Sequence, residues 1–399
     1  MGLKVVKFGG SSLSDGENWR RVLNIVKEGD RQAVVVSAPG ARFVGDEKVT
    51  DLLFKYASSD KEQKETVWQR VADRYVDIAN FFGIDFSSVL EETKLKLTGA
   101  SVPYVVSRGE YLSARLFSLL SGKKFIDAAR VVKFDEKGEI AQRLTYQLIE
   151  QSVLQSGQNA VMGGFYGSDK EDNIVLFERG GSDVSGAIVA AAVNAEKYEN
   201  WTDVSGVFCC DPRIVLNPVF VKCLSFFQMK ILALLGARVL HPQTIYPTVK
   251  KSIPINVKSI YHPDEDGTWI LPTTKKRGDV VGITAKKVVS VEQIEFKTPL
   301  TSPTPLLSII TPAFCRAVFD EETFDSTKIT GDGVLTTTHA TLISVVYDGK
   351  KNYCPTIKKA LEKTGLPANV ICDEHGLAAC LTAPDKTAEA LRTVYKALE

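Results

Sequence analysis

Apolar residues follow two rhythms along this chain. LKVVKF (3–8) and QAVVVS (32–37) are short β-branched runs bounded by turn residues, the pattern of strands buried on both faces. Between them, ENWRRVLNIVKEG sets Trp19, Val22, Leu23 and Val26 on one helical face. Strand, helix and strand in that order make a βαβ unit, which predicts a parallel sheet. From about 50 to 121 the rhythm is helical. Val67, Val71, Tyr75, Ile78 and Phe82 form one stripe at steps of four and three, so this stretch reads as a helical subdomain beside the sheet. KFIDA (124–128), NAVMGG (159–164), NIVLF (173–177), YENWTDV (198–204) and IPINV (253–257) return to strand pattern. Helical patterns near 142–156, 183–196 and 225–236 lie among them. Residues 1 to about 260 read as one large α/β domain.

The polar, Pro- and Gly-rich stretch YHPDEDGTWILPTTKKRGD (261–279) marks a boundary. Beyond it, shorter strand patterns (VGITAK, TLISVVY, GLAACLT) alternate with the helical patterns TIKKALEKTG and TAEALRTVYKALE, as in a small α+β module. The length of 399 residues suits two or three domains. A net charge of +1, with no basic block, gives no electrostatic pull toward nucleic acid or an anionic membrane. No apolar run reaches the roughly 20 residues of a membrane span, and MGLKVVKFGG leads into a strand rather than a signal peptide. Seven scattered cysteines without a CxxC spacing fit free thiols in a reducing cytoplasm. Four isolated histidines argue against a zinc site, so no protein-held metal is expected.

Two glycine-bearing turns carry the candidate chemistry. KFGGSSL (7–13) follows a strand, and it has neither the Walker A nor the GxGxxG spacing. Gly9 and Gly10 let backbone N–H groups approach an anion, a following helix N-terminus adds partial positive charge, and Lys7 adds a full one. An ordinary strand-to-helix turn would look the same. RGGSD (179–183) repeats the arrangement after NIVLFE, with Ser182 or Asp183 placed to cap an Ala-rich helix. Two such starts in one sheet could converge on one polyanion. SRGEY (107–111) reads as a helix head, with Glu110 in the first turn.

In order along the chain stand KFGGSSL, VVSAPG, VTDLL, SRGEY, GGFYG, RGGSD, WTDVSGVFCCDPR, GARVLHPQTI and IPINVK. This series resembles the motifs of the aspartate kinases, members of the amino acid kinase superfamily, over residues 1 to about 285. The resemblance implies an amino acid kinase fold, α/β with a mainly parallel sheet between helices. It implies a catalytic domain at 1–285 and a C-terminal α+β ACT-like regulatory or dimerisation region at 286–399, with a shortened, atypical first module. The implied reaction is ATP-dependent phosphorylation of L-aspartate to 4-phospho-L-aspartate, the first step toward lysine, threonine and methionine. Cofactors would be ATP and Mg²⁺, the location cytoplasmic, and the assembly a homodimer or higher homo-oligomer through the C-terminal region.

By the same resemblance, Lys7 and Asp183 would be catalytic. Ser37, Thr50, Glu110, Phe165, Arg179 and Ser182 would bind the amino acid, with Arg179 on its α-carboxylate and Glu110 on its ammonium. Lys7, Phe8, Gly9, Gly10, Ser11, Thr202, Asp203, Phe208, Arg213 and Arg238 would bind ATP. Phe208 stands where many members have tyrosine, and Arg238 where lysine is frequent. The nucleophile is a carboxylate already ionised at neutral pH, so the chemistry needs no general base and the scarcity of histidine is no obstacle. Two other readings stay open here: a kinase of another amino acid or carboxylate, and a non-catalytic amino-acid-binding regulator.

Overall fold

The computed structural model describes every residue except 1, 30, 158, 179, 238–239, 241, 275–279, 301–302, 312–313, 330–332, 349–350, 369 and 373–375, and the side chains of 242–245 and 371–372. The chain forms two compact units, residues 1–206 with 240–272 and residues 207–239 with 273–399. The sequence-level boundary at 285 falls inside one continuous strand, Val280–Ile294.

The first unit is built on a mostly parallel sheet. Its strands run in the order Thr268–Leu271, Ile255–Ser259, Lys197–Thr202, Lys4–Phe8, Ala33–Val36, Ala160–Gly163 and Lys124–Ile126. These neighbours are parallel except that Thr268–Leu271 runs antiparallel to Ile255–Ser259. The central strands are buried on both faces, which is why LKVVKF and QAVVVS show no alternation. Four helices, Val49–Ser58, Lys61–Phe81, Ser87–Leu95 and Val102–Ser121, fill the stretch expected to be helical. Val67, Val71, Tyr75 and Ile78 are buried as the stripe requires, and they join Trp19, Phe117 and Trp201 in one core.

Three local expectations change. Ile174–Leu176 leaves the main sheet and pairs with Tyr166–Ser168 as a two-stranded hairpin. SRGEY is not a helix head. The helix starts at Val102, where the Ser101 hydroxyl accepts from the Tyr104 N–H and Pro103 takes an early position, so Glu110 lies mid-helix. The turn after Gly10 is first a 3₁₀ turn, Ser11–Leu13; the α-helix begins at Gly16 and is capped by Asp15.

The second unit carries an antiparallel sheet in the order Leu307–Ile310, Phe314–Asp320, Val280–Ile294, Val334–Tyr347, Leu377–Thr382 and Val370–Cys372. Between residues 280 and 347 the described residues contain no α-helix, only the 3₁₀ turn Ser326–Lys328. The two helices Cys354–Lys363 and Thr387–Leu398 belong to the last part of the chain. Segment 207–239 adds the pair Val207–Phe208 and Phe220–Val221, and the helix Phe226–Leu234, started by a Ser225–Gln228 capping box. Cys209, Cys210, Cys223, Cys315 and Cys380 are free thiols, whereas Cys354 is disulfide-bonded, against the expectation of free thiols throughout.

Candidate active site

The parallel strands of the first unit end together, and several of the candidate residues stand where they end. Lys7 and Phe8 close their strand, Ser37 follows Val36, Gly163 closes a third strand and Thr202 a fourth. Open parallel sheets bind ligands outside these carboxyl ends.

Register sets the first contact. Lys7 lies beside Asn200 on the neighbouring strand, so both side chains face the same side of the sheet. On that side runs the helix Gly181–Ala192, whose small residues let it sit close to the strands. The Tyr198 hydroxyl donates to the Asp183 carbonyl at 3.1 Å. Asp183 Oδ1 thereby meets Lys7 Nζ at 2.5 Å and accepts from Asn200 Nδ2 at 3.1 Å. Lys7 is 7% exposed. A cation this buried is held by its ion partner, since an unpaired buried charge is costly. Neither Ser182 nor Asp183 caps the helix; the cap is Gly180 in the left-handed region at φ 61°. Asp183 lies inside the first turn and its carboxylate meets Lys7 instead.

The Gly9–Gly10 turn is shaped by close approach rather than by unusual backbone angles. Gly10 has φ −61° and ψ −38°, ordinary for any residue. A Cβ on Gly10 would sit 2.9 Å from the Ala38 carbonyl oxygen, and one on Gly40 would sit 2.7 Å from the Gly10 carbonyl carbon. The Gly40 N–H donates to Gly10 O at 2.8 Å, and the Gly9 N–H to Trp201 O at 3.2 Å. Two loops thus lock together beside Lys7. Arg74, 4% exposed, pins the second loop from behind, donating to Gly40 O at 2.6 Å and to Asp46 at 2.7 Å. Phe8 stacks on Trp201 with ring centroids 6.2 Å apart, and Ser11 is half-buried at the start of the 3₁₀ turn.

Glu110 is 4% exposed. Its helix reaches the loop because Gly109 has no side chain; a Cβ there would lie 2.8 Å from Ala38 Cβ. Oε1 accepts from the Ala38 N–H at 3.1 Å, and Oε2 has no hydrogen-bond partner among the described residues. Burial pushes the carboxyl up to about 7, against the pull of the Ala38 N–H and the Lys7 charge. This is a carboxylate built for one more donor, preferably a cation. Ser37, buried, donates its N–H to Phe8 O at 3.2 Å, and Thr50 is half-buried in the first turn of its helix.

Phe165 sits at φ 74°, unusual for a bulky residue. Its N–H donates to the buried Ser185 hydroxyl at 3.0 Å, and its carbonyl accepts from Phe177 at 2.9 Å. Ser182 packs so close to Gly164 that a Cβ there would lie 2.7 Å from Ser182 Cα. Strain of this kind is found where a structure fixes a turn for a ligand. Thr202 and Asp203 hydrogen-bond each other at 2.9 Å on the open side of the strand end.

Phe208 and Arg213 belong to the second unit. Phe208 packs edge-on against Phe220 at 5.5 Å, and Arg213 pairs with Asp211 at 2.6 Å on an exposed loop. Arg179 and Arg238 lie outside the described residues. Asn200, Arg74 and Ser185 were missed by motif reading. The signal for Asn200 was present, since a polar amide inside the strand YENWT needs a buried partner.

A buried lysine held by a carboxylate, beside glycine-bearing turns at the ends of parallel strands, marks an α/β protein with an anion-binding candidate site. The chain belongs to the amino acid kinase family, whose model matches residues 2–259. The proteins it is similar to include aspartate kinases. It is 33% identical to aspartokinase 3 of Bacillus subtilis over 308 residues, which is 70% of this chain and 66% of that protein, so it spans just under two thirds of that relative's length. The crystal structure of the Clostridium acetobutylicum aspartate kinase matches with a TM-score of 0.85 and 31% identity, covering 100% of both chains. The E. coli aspartokinase III structure, in complex with aspartate and ADP, shares the fold with a TM-score of 0.82 at 19% identity, covering 99% of each chain.

Proposed function

We propose that this chain transfers the γ-phosphoryl group of ATP to the side-chain carboxylate of L-aspartate, giving 4-phospho-L-aspartate and ADP. The observation that carries the reading is the buried Lys7–Asp183 pair, which ties the two glycine-bearing turns into one site. The acceptor carboxylate attacks as an anion, so catalysis reduces to alignment and charge neutralisation. Lys7 supplies positive charge to the transferring group, and the Gly9–Gly10 turn leaves room for it. Asp183, steadied by Asn200, keeps Lys7 aimed. Glu110 receives the substrate ammonium on its open oxygen. Ser37, Thr50, Phe165 and Ser182 shape the acceptor pocket, and Arg179 holds its α-carboxylate by resemblance alone. Thr202, Asp203, Phe208, Arg213 and Arg238 take the nucleoside side on the same ground.

Mg²⁺ fits as a companion of the nucleotide rather than as a resident ion. The described residues hold no cluster of three metal donors, and Mg²⁺ is commonly carried by phosphates with one or two carboxylates. Asp183 is the carboxylate at hand; the ion would add charge neutralisation to that of Lys7. We place the protein in the cytoplasm as a homo-oligomer assembled through its ACT-like C-terminal region. No helix among the described residues is long and apolar enough to cross a membrane.

The test is acyl-phosphate trapping. Purified chain with ATP, Mg²⁺, aspartate and hydroxylamine should yield aspartyl hydroxamate, and Lys7→Ala should lose at least about a hundredfold in rate. Hydroxamate from another acceptor in a panel but not from aspartate would replace the substrate. None from any acceptor would refute the kinase reading.

A further inference from the structure

On the face of the Val102–Ser121 helix turned away from Glu110 lies a second charged cavity, of about 250 Å³. Arg108 forms its wall and is 5% exposed. Tyr104 and Tyr111, four residues before and three after, share its helix face. Their ring centroids lie 4.2 and 4.5 Å from the guanidinium carbon, and that of Tyr166 at 5.6 Å. For five donors, the structure gives Arg108 the single hydroxyl of Ser107, at 2.9 and 3.2 Å. It makes no ion pair among the described residues. A guanidinium buried this deeply normally meets a carboxylate.

A carboxylate does face the same cavity. Asp127 accepts on Oδ1 from the Tyr166 hydroxyl at 2.8 Å and from the Ala129 N–H at 3.1 Å, and no bond to Oδ2 is found among the described residues. Arg108 and Asp127 both lie beside Tyr166, yet they do not meet. The other charged pair, Lys96 with Glu92 at 2.7 Å, satisfies itself at the rim with both side chains more than half exposed. The interior therefore presents one cationic fork without an anionic partner among the described residues and one half-free carboxylate, in a space walled by Tyr104, Tyr111 and Ile174.

We infer that this cavity is a binding site for a small zwitterionic amino acid. Its carboxylate takes the Arg108 fork and its ammonium takes Asp127 Oδ2. Arginine's planar donors match a carboxylate in two parallel bonds, and stacked tyrosines fix the plane in advance. An apolar side chain of modest size packs toward Thr93 and Ile174. The site is separate from the proposed reaction, so its test does not depend on phosphoryl transfer.

The full chain is titrated calorimetrically with each of the common L-amino acids and with acetate. This is done in the natural sequence and in a Glu110→Gln background that disables ammonium binding at the other site. The expected result is that one or more amino acids bind in both backgrounds, with acetate much weaker. Arg108→Lys should weaken that binding by about tenfold or more by losing the fork. Ile174→Trp, which fills the cavity while leaving Arg108 and Asp127 in the sequence, should abolish it, and it decides the matter if Arg108→Lys fails to fold. Absence of amino-acid binding in the Glu110→Gln background at tens of millimolar would overturn the inference. Binding indifferent to Ile174→Trp would do the same.

Discussion

Glu110 should make the protein less stable as pH rises, and replacing it with glutamine should remove that loss. The carboxyl is 4% exposed, one oxygen has no partner among the described residues, and burial lifts it from an ordinary 4.5 to about 7. In the unfolded chain the group loses its proton near its ordinary value. Between about 4.5 and 7 the folded state therefore holds a proton that the unfolded state has released. With fewer protons on the unfolded chain, stability falls as pH rises, by about 1.4 kcal/mol per pH unit, and levels off above 7. The whole window amounts to about 3 kcal/mol, an order-of-magnitude figure for a fully buried group. Glu110→Gln keeps the volume and the acceptor for the Ala38 N–H but does not titrate. Its amide adds a buried donor, a cost that is the same at every pH. The informative quantity is thus the difference between the two proteins as a function of pH. Urea denaturation at pH 5, 6, 7 and 8.5 should show the glutamine variant gaining on the natural sequence from pH 5 to 7 and holding that gain at 8.5. A difference independent of pH would refute the argument, as would one that moves in favour of glutamate with rising pH. The same ionisation predicts that the KM for aspartate falls roughly tenfold between pH 6 and 8, because only the anion attracts an ammonium.

The remaining predictions concern the frame around the site. Gly40→Ala drives a methyl into the Gly10 backbone and should cost about 1–3 kcal/mol in denaturant unfolding while lowering turnover, since the Lys7 turn must shift. Ser185→Ala removes the acceptor for the Phe165 N–H and should destabilise by about 1–3 kcal/mol. It should also raise the KM for the acceptor more than it lowers kcat. Arg31→Ala strips the ion partner at 2.5 Å from Glu199, which is 1% exposed and keeps Lys197 at 2.8 Å and the Trp201 indole at 2.9 Å. The cost should be about 2–4 kcal/mol. Burial works to raise the Glu199 carboxyl, but Arg31 and Lys197 outweigh it and hold it below its ordinary value. Its contribution is therefore present above the unfolded-state value and lost as pH falls through the folded one. The variant should accordingly begin to lose stability at a higher pH during acid titration followed by circular dichroism.

Local rhythm made the elements legible, and partners set by distant chain did not show in it. The buried strands and the Val67–Ile78 stripe were readable because period and β-branching are local properties. SRGEY misled because its polar residues look like a helix start, while the working cap, Ser101, stands six residues earlier. NIVLF has the composition of a sheet strand, but its partner is the Tyr166–Ser168 hairpin, a choice made by tertiary packing. The lysine–aspartate pair was approachable only through two motifs separated by more than 170 residues. The contact between Gly10 and Gly40 has no sequence signal beyond the glycines themselves. In the second unit, the stretch from 280 to 347, without an α-helix among the described residues, agrees with the strand patterns VGITAK and TLISVVY that bound it.

Lys7 and Glu110 show two opposite ways of keeping a buried charge ready. Lys7 is fully paired before any ligand arrives, because its 2.5 Å contact with Asp183 offsets the cost of burial. A phosphate approaching Lys7 must share it with Asp183, so the pair adds little to ground-state affinity. Its value grows as negative charge builds on the transferring oxygens, when the Coulomb attraction in a site shielded from water outweighs that sharing. Glu110 is the reverse. One oxygen is left without a partner among the described residues, and the chain bears the loss of stability until an ammonium completes it. The first arrangement favours the transition state over the bound nucleotide. The second favours binding of an amino acid over a carboxylate that lacks the ammonium, which would leave the buried anion uncompensated. In the proposed reaction, acceptor selection and rate thus rest on different buried charges, joined through the short loop from Ser37 to Gly40 that touches both the Gly10 turn and the Glu110 carboxylate.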